Sequence, residues 1–325
     1  MRNLRRILLS VLTGTLLIPL LATTPANAYV KVAYATATTM SESPGGEGNI
    51  RATLHLGTVT AGTSRNLRSD VVVGNGRADG APGKIAVGHK ITCQPVGGAT
   101  LSGGQVWSGQ NLLPGGADVK LSVRLLFTPA VTGDYDCLLR VYINNGLSVG
   151  LETASLRSGF IGDIDGAIGP AGVAQRFPSA ANTFFSIGGA GKQLNAVTGY
   201  APLPGATSFL ATADLYATSC YGNGGNACPT AGYPTSGTAM VRYRMVATPT
   251  STAAGCVAQA TESATVPVSR DTHHQRISQQ LTVTQPASGC GTWTVNAYVQ
   301  ANGGTLPFVI HGGPYSLTYV RPPVA

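Results

Sequence analysis

Lys120-Leu-Ser-Val-Arg-Leu-Leu-Phe127 decides the fold, together with the corner Thr128-Pro-Ala130 and the run Tyr135-Asp-Cys-Leu-Leu-Arg-Val-Tyr-Ile143. In both runs the apolar residues recur at every second position, and mostly polar residues lie between them. Successive side chains of a β-strand point to opposite faces of a sheet, so each run predicts a strand with one buried face. The corner between them is typical of an antiparallel sheet that turns one side to a core.

The same pattern returns in the second half of the chain. Arg276-Ile-Ser-Gln-Gln-Leu-Thr-Val283 is followed by a corner with Pro286-Ala287 and by Trp293-Thr-Val-Asn-Ala-Tyr-Val299. Tyr142 and Tyr298 each lie nine residues after the corner glycine of their own copy. Two matched copies in one chain predict two domains of the same kind.

Composition supports an all-β fold with two tandem antiparallel β-sandwich domains. Only 10% of the residues are charged and 43 are glycine, which is unlike the composition of exposed helices. A chain of 325 residues also exceeds what one sandwich core usually holds. We predict a signal peptide over 1–28, a first sandwich over 29–165, a Gly/Ala-rich connector over 166–195 and a second sandwich over 196–325.

The first residues predict export from the cytoplasm. Arg2, Arg5 and Arg6 precede the apolar run Ile7–Leu21, and Ala26-Asn-Ala28 is a small-x-small cleavage site. The apolar run is short for a membrane span, although a retained anchor helix is the alternative. We expect a secreted or cell-wall-associated protein with no transmembrane segment in the mature chain, and the excess of Arg over Lys hints at a bacterial source.

Charge argues against a nucleic-acid partner. The leader carries three arginines and no acids, so its removal lowers the formal charge from +8 to +5. The remaining Lys and Arg residues are scattered and do not alternate with aromatic residues as they do in nucleic-acid-binding segments.

Six cysteines in an exported chain predict disulfides. Sequence order alone allows about fifteen pairings. Proximity along the chain favours Cys93 with Cys137, Cys220 with Cys228, and Cys256 with Cys290. Metal ligation is a weaker alternative, because no Cys-x-x-Cys pair occurs and no histidine has finger-like spacing.

The segment Thr132-Gly-Asp-Tyr-Asp-Cys137 resembles the start of strand F in immunoglobulin-like domains, where a tyrosine stands two residues before the second bridge cysteine. By this resemblance Cys93 would be the strand-B cysteine, and Trp107 lies near the place of the core tryptophan. The second copy is sandwich-like in a broader, immunoglobulin- or fibronectin-III-like sense. The resemblance implies a recognition or adhesion scaffold without a catalytic centre.

Four patterns in the sequence partly resemble sites of chemistry. Gly146-Leu-Ser148-Val-Gly150 matches a nucleophile elbow, but no helix is predicted after it. Gly188-Gly-Ala-Gly191-Lys192 is a poor phosphate-binding loop, and a flexible connector explains it better. Asp163 and Asp165 have the spacing that opens a calcium loop without its later ligands, so calcium binding there stays an open hypothesis. Asp271, His273 and His274 are best explained as a solvated loop, because neighbouring side chains of a strand point apart.

We therefore expect no cofactor, no metal and no catalytic residue. Tyr142, Tyr298 and Tyr221 are the candidates for a contact surface. The predicted function is that of a secreted, non-catalytic binding or structural protein, adhesive or attached to the cell surface. Its partner would be a protein or a cell-wall glycan, bound through sandwich loops or sheet edges. The alternatives are an inhibitor or toxin-complex component that presents the Cys220–Cys228 loop, and an unrecognised hydrolase.

Overall fold

The computed structural model describes residues 30–34, 38–41, 49–75, 84–144, 153–169, 174–176, 181–223, 227–229 and 231–323. The predicted signal peptide 1–28 and the elbow serine Ser148 lie outside these ranges. Within them the chain forms β-strands and one short 3-10 helix, Gly313–Tyr315. None of the described residues forms a helix long and apolar enough to cross a bilayer.

The first half of the described chain forms two antiparallel sheets. Sheet I has the order β1-β9-β4-β7, with β2 also paired to β9, and sheet II has the order β3-β8-β5-β6. The strands are β1 Val30–Tyr34, β2 Thr38–Ser41, β3 Asn49–Val59, β4 Ser64–Asn75, β5 Ile85–Pro95, β6 Gln105–Leu112, β7 Val119–Phe127, β8 Gly133–Asn144 and β9 Thr153–Ile168.

The second half forms two more antiparallel sheets. In sheet III the central β13 pairs with β17 on one side and with β20 and β19 on the other, and β10 and β11 extend it; sheet IV has the order β12-β18-β14-β15, with β16 also on β14. The strands are β10 Ala174–Arg176, β11 Thr183–Phe185, β12 Lys192–Tyr200, β13 Ser208–Ser219, β14 Thr238–Pro249, β15 Gln259–Glu262, β16 Val266–Ser269, β17 His274–Thr284, β18 Trp293–Gly304, β19 Phe308–Ile310 and β20 Leu317–Arg321.

The two halves have the same strand order. β10, β20, β13 and β17 of sheet III correspond to β1, β9, β4 and β7 of sheet I, and β12, β18 and β14 of sheet IV correspond to β3, β8 and β5 of sheet II. Both copies of the sequence repeat cross from one sheet to the other at their corner, from β7 to β8 and from β17 to β18. This is the strand order of a jelly roll, a sandwich of two Greek keys.

The all-β, tandem-sandwich prediction is therefore confirmed, whereas the immunoglobulin resemblance fails in its details. The Cys93–Cys137 bridge joins register partners on neighbouring strands of sheet II, whereas the immunoglobulin bridge connects two sheets. Trp107 lies at the contact between the two sandwiches and outside their cores. Tyr135 does keep the corner hydrogen bond, in which its hydroxyl donates to the Val131 carbonyl at 2.5 Å.

Each sandwich encloses its own apolar core. The alternation read from β7 and β18 is confirmed, since Leu121, Val123 and Leu125, and likewise Trp293 and Val295, are at most 4% exposed. The two cores bury the inward faces of both sheets on each side. Burial of these apolar side chains is the main contribution to the stability of each sandwich.

The segment predicted as a connector takes part in both sandwiches. β9 continues to Ile168 in sheet I, β10 pairs with β20, β11 pairs with β19, and β12 already begins at Lys192. The sequence suggested a linker because glycine and alanine interrupt these short strands. Backbone pairing with β20 and β19 holds these short strands, and the buried ring of Phe185 on β11 adds a stacked contact with Phe308 at 4.8 Å.

All three expected disulfides are present. Cys256–Cys290 ties the loop after β14 to the loop before β18, and Cys220–Cys228 closes a loop after β13. Free cysteines are absent from the described residues.

The outer faces of sheets I and III pack against each other. Leu126 of β7 lies in one apolar cluster with Leu317 and Tyr319 of β20, and the Tyr319 hydroxyl donates to Asn66 Oδ1 at 3.2 Å. The second sandwich thus covers side chains that point outward from sheet I. Three edge strands meet at one side of this contact, namely β6, β7 and β17.

Candidate functional site

A buried carboxylate links the two sandwiches beside the three edge strands. Asp214 of β13, with 1% of its side chain exposed, accepts a 3.0 Å hydrogen bond from Arg124 of β7. It also accepts hydrogen bonds from Ser278 at 2.5 Å and from Arg276 at 3.4 Å, both on β17. Arg276 reaches further, donating to the carbonyls of Trp107 at 2.7 Å and Tyr315 at 3.3 Å. These bonds hold two guanidinium groups and one hydroxyl group in place at the contact between the sandwiches.

A polar cleft of about 260 Å³ opens next to this network. Residues of β6 and β7 of the first sandwich line one side of the cleft, and residues of β17 of the second sandwich line the other. The cleft has polar side chains on all three strands, namely Ser108, Gln110, Lys120, Ser122, Arg124, Gln275, Arg276 and Ser278.

Two buried polar atoms on this cleft have no hydrogen-bond partner among the described residues. They are the hydroxyl oxygen of Ser108, a residue that is 4% exposed, and Nε of Arg276, whose side chain is 6% exposed. Leaving a buried polar group without a partner costs about 1–3 kcal/mol, so native proteins rarely do so without a reason. Both atoms belong to residues that line the cleft, but the atoms themselves are buried beneath its surface.

Positive charge exceeds negative charge around the cleft. Lys120 Nζ lies 3.0 Å from Asp70, and Arg68 lies 2.8 Å from the same carboxylate. Burial opposes ionisation of Asp70, but hydrogen bonds from Arg68, Lys120 and Ser122 outweigh it and hold its pKa below the usual value. Two carboxylates, Asp70 and Asp214, thus face four cations among the described residues, namely Arg68, Lys120, Arg124 and Arg276.

His89 lies behind the cleft, opposite Ser108 in the register of β5 and β6. It is fully buried, and its Nε2 is 2.9 Å from the Ser69 hydroxyl. Burial lowers the pKa of His89 to about 3, with the charge of Arg276 acting in the same direction and that of Asp70 opposing it. The imidazole is therefore neutral at neutral pH and adds no positive charge.

A second cluster of titratable groups lies next to the cleft, at the start of β17. The Thr218 hydroxyl is 2.6 Å from both His274 Nδ1 and His311 Nε2, and the rings of His273 and His274 are 4.2 Å apart. His273 has φ +54°, a left-handed conformation that is unusual outside glycine. We call the three imidazoles and Thr218 the histidine cluster.

The expectation of a solvated Asp271–His274 loop holds for Asp271 alone. Its carboxylate is 57% exposed and lies 2.6 Å from Lys84 Nζ of the first sandwich. His273 and His274 are partly buried, because the rings of Tyr221 and Tyr216 pack against them. Groups that could hold a metal ion are absent from the described residues.

The three predicted contact tyrosines lie in three different places. Tyr142 points outward from β8 as expected, but the second sandwich covers it: it is 8% exposed and lies edge-on to Trp107 at 6.2 Å. A buried ring cannot form an exposed contact surface, so this prediction is wrong for Tyr142. Tyr298 lines a shallow polar cleft of about 190 Å³ on sheet IV with Arg242 and Arg244.

Tyr221 lies next to the histidine cluster, where its ring meets His273 edge-on at 5.1 Å and Arg270 stacks over it at 5.5 Å. For Tyr298 and Tyr221 a contact role stays a prediction.

The candidate calcium acids are engaged by cations. Asp163 lies 3.0 Å from Arg65 Nη1, and Asp165 lies 3.1 Å from Arg321 Nε. Burial raises the pKa of Asp163 in spite of Arg65, which further disfavours it as a cation ligand. Lys192 of the glycine-rich segment donates to the Phe184 carbonyl at 2.8 Å and so is bound within the sandwich.

A larger cleft of about 790 Å³ lies among the loops at one end of the first sandwich. Its rim includes the exposed side chains of Val96 and Val131, and Asp134 is the one charged side chain of its described lining. This cleft offers shape and apolar surface, but it lacks the convergent charged groups of the cleft at β17.

Sequence reasoning missed the cleft because Ser122, Arg124, Arg276 and Ser278 occupy outward positions that look solvated. One signal was present. Asp214 interrupts the run Ser208-Phe-Leu-Ala-Thr-Ala-Asp-Leu-Tyr-Ala-Thr-Ser219, which is otherwise uncharged. A lone acid in such a strand indicates a buried cationic partner.

No family model matches the chain, and no curated protein matches it. Among solved structures it is similar to the tandem CBM22-1-CBM22-2 domains of Paenibacillus barcinonensis Xyn10C, with 12% identity over 91% of this chain and 93% of that one, and a TM-score of 0.25. It is similar to the glycosylasparaginase PNGase F from Flavobacterium meningosepticum, with 10% identity over 92% and 98% and a TM-score of 0.34. It is also similar to the infectious bursal disease virus Gx strain structure, with 11% identity over 90% and 75% and a TM-score of 0.26.

Likenesses this distant do not show what this chain binds or which reaction, if any, it performs. They do correct one expectation, since the solved structures that resemble this chain include PNGase F, an enzyme. The expectation that the protein is not an enzyme therefore does not stand. Ligand binding does not depend on whether a reaction follows it.

Proposed function

We propose that the protein binds a negatively charged saccharide unit in the cleft between its two sandwiches. The observation that carries the proposal is the convergence of three cationic side chains, Lys120, Arg124 and Arg276, with hydroxyl and amide side chains on one cleft.

The lining chemistry favours an acidic sugar over a simple ion. Arg and Lys side chains form strong charge-assisted hydrogen bonds to sulfate, phosphate and carboxylate groups. The lining also includes the hydroxyls and amides of Ser108, Gln110, Ser122 and Gln275, which suit the hydroxyls of a saccharide.

The size of the cleft limits the ligand. Its volume of about 260 Å³ is below the range of roughly 300–1,000 Å³ that is typical of sites for drug-sized molecules. One monosaccharide unit, free or at the end of a chain, is therefore the expected occupant. Surface glycans that end in acidic sugars are the corresponding partner class for an exported protein.

The test is calorimetric titration at pH 7.5 with galactose 6-sulfate and with galactose. We expect the sulfated sugar to bind at least tenfold more tightly, because a hydrogen bond to a charged group contributes about 1.5–3 kcal/mol. Equal affinity for the two sugars, or binding of neither, would refute the proposal.

Matched variants localise the effect. Lys120→Gln removes a charge from the lining, and we expect it to weaken binding of the sulfated sugar by about tenfold. Lys31→Gln also removes an exposed charge, on β1, where the side chain packs over Phe160, and should leave affinity unchanged.

Ser108→Ala provides a sharper diagnosis. Removing a buried, unpartnered hydroxyl should raise the stability of the free protein by about 1 kcal/mol while weakening ligand binding. Thr92→Val is the control, because the Thr92 hydroxyl is also buried without a described partner but does not line the cleft. It should raise stability without changing affinity.

A further inference from the structure

The histidine cluster lies where a change of charge would act on the contact between the sandwiches. His274 and Arg276 are two residues apart on β17, so both side chains project from the same face of the strand. That face meets β6 of the first sandwich, and the backbone amide of Asn111 on β6 donates to the Thr272 carbonyl at 3.1 Å.

Direct contacts connect the cluster to the cleft. The ring of Tyr315 lies 5.2 Å from His311 and 5.9 Å from Trp107, and the Tyr315 carbonyl accepts a hydrogen bond from Arg276. Tyr216 stacks on His274 at 5.4 Å and on Tyr315 at 5.7 Å. One packed group of rings thus touches both the imidazoles and the guanidinium that lines the cleft.

The geometry at Thr218 disfavours protonation of both His274 and His311. Two ring nitrogens share the single hydroxyl of Thr218, which can donate its hydrogen to one while it accepts from the other. If both rings were protonated, two cations would point at one oxygen, and the hydroxyl hydrogen would have no acceptor between them.

The charged groups that face the cluster from its surroundings are mainly cationic. Lys84 approaches from the first sandwich and Arg270 from the loop before β17, Arg276 lies two residues beyond His274 on β17, and Asp271 is the one nearby acid among the described residues. Burial raises the pKa of Tyr216 and of Tyr315, so both phenols are neutral. Protonation of the imidazoles would therefore add positive charge to a site that already has an excess of it.

We propose that the histidine cluster is an acid-operated latch: protonation of its imidazoles separates the segment 271–276 from the first sandwich and releases the ligand of the cleft. The release of a ligand rests on the proposed function, whereas the separation of the segment 271–276 from the first sandwich does not. Withdrawal of Arg276 would remove a cation and one unpartnered donor from the lining at the same time.

The protonation equilibria agree with this geometry. Burial lowers the pKa of His273 and of His311 to about 4, and burial together with its two neighbouring histidines holds the pKa of His274 well below its usual value. An imidazole released into solvent returns to a pKa near 6.5. Acidification below about pH 6.5 therefore favours the open state, because the open state binds more protons.

The test compares binding of galactose 6-sulfate at pH 7.5 and pH 5.0, since both the sulfate ester and ordinary carboxylates are ionised at each pH. We expect affinity to fall by about tenfold or more at pH 5.0, within the range of measured couplings between sites. The double variant His274→Gln, His311→Gln should lose less than about threefold, and the exposed His55→Gln should behave as the unmodified protein does. Tight binding at pH 7.5 that persists unchanged at pH 5.0 would overturn the latch and leave the proposed function intact.

A second measurement decides the question without a ligand. Hydrogen exchange of the Asn111 amide, corrected for intrinsic pH dependence, reports the bond to Thr272 directly. Protection should be lower at pH 5.0 than at pH 7.5, and the double variant should remove the difference. Equal protection at both pH values would overturn the latch, even if no sugar bound.

Discussion

Arg124 of the first sandwich donates a 3.0 Å hydrogen bond to Asp214 of the second, and both side chains are largely withdrawn from water. Asp214 also receives Arg276, so one carboxylate organises a guanidinium from each sandwich. The energetic consequence is asymmetric. An intact buried ion pair adds little net stability, but loss of one partner leaves the other group charged and poorly solvated.

Asp214→Asn should therefore destabilise the protein by about 3–5 kcal/mol, because two buried cations would face a neutral amide. Urea unfolding at pH 7.5 measures the change. Glu262→Gln is the control, since Glu262 pairs with Arg242 at a site where both side chains are about 40% exposed. Such surface pairs contribute at most about 1 kcal/mol. Equal effects of the two variants would contradict a buried network.

The three disulfides should contribute unequally. Cys93–Cys137 spans 44 residues and Cys220–Cys228 only 8. On the chain-entropy relation, losing the first bridge should cost about 4 kcal/mol and losing the second about 2.5 kcal/mol. Paired Cys→Ala variants, followed by thermal unfolding, check the order. A larger loss from the Cys220, Cys228 pair would show that local strain or packing, and not chain entropy, governs the effect.

Stability should fall in mild acid because His89 is buried as a neutral ring. Its pKa is about 3 in the folded protein and near 6.5 when unfolded, so the unfolded state binds more protons between these values. The stabilisation is complete above about pH 6.5 and declines as the pH drops toward 3. His89→Gln should reduce the loss of unfolding free energy between pH 7.5 and 5.0 by about 2 kcal/mol.

Urea titrations at the two pH values provide that measurement. His55→Gln is the matched control, because the side chain of His55 is 63% exposed. Identical pH dependence in the unmodified protein and in the His89 variant would contradict a buried neutral imidazole.

Strand content and the cysteine pairs could be predicted from local patterns. Alternation places Leu121, Val123 and Leu125 inward whatever the strand order, and parity directs Cys93 and Cys137 to the same interior. Strand order could not be obtained in this way. It depends on pairings between residues far apart in sequence, such as Leu67 with Asp163, and no periodicity encodes them.

The site was harder to predict than the fold for a related reason. Lys120, Ser122 and Arg124 have the pattern of a solvated face, and the alternation is the same whether water or a second sheet covers that face. Only the lone acid Asp214 indicated a covered face. Tyr142 illustrates the same difficulty. Its position in β8 points outward, yet its ring is buried because Trp107 and the second sandwich pack over it.

Backbone amide chemical shifts of the intact protein during titration with galactose 6-sulfate at pH 7.5 test the central claim most directly. The account predicts saturable shifts centred on Ser108, Ser122 and Gln275, the cleft residues of β6, β7 and β17. Shifts centred on the loops around Val96 and Val131, on Tyr298, or nowhere at all would contradict it.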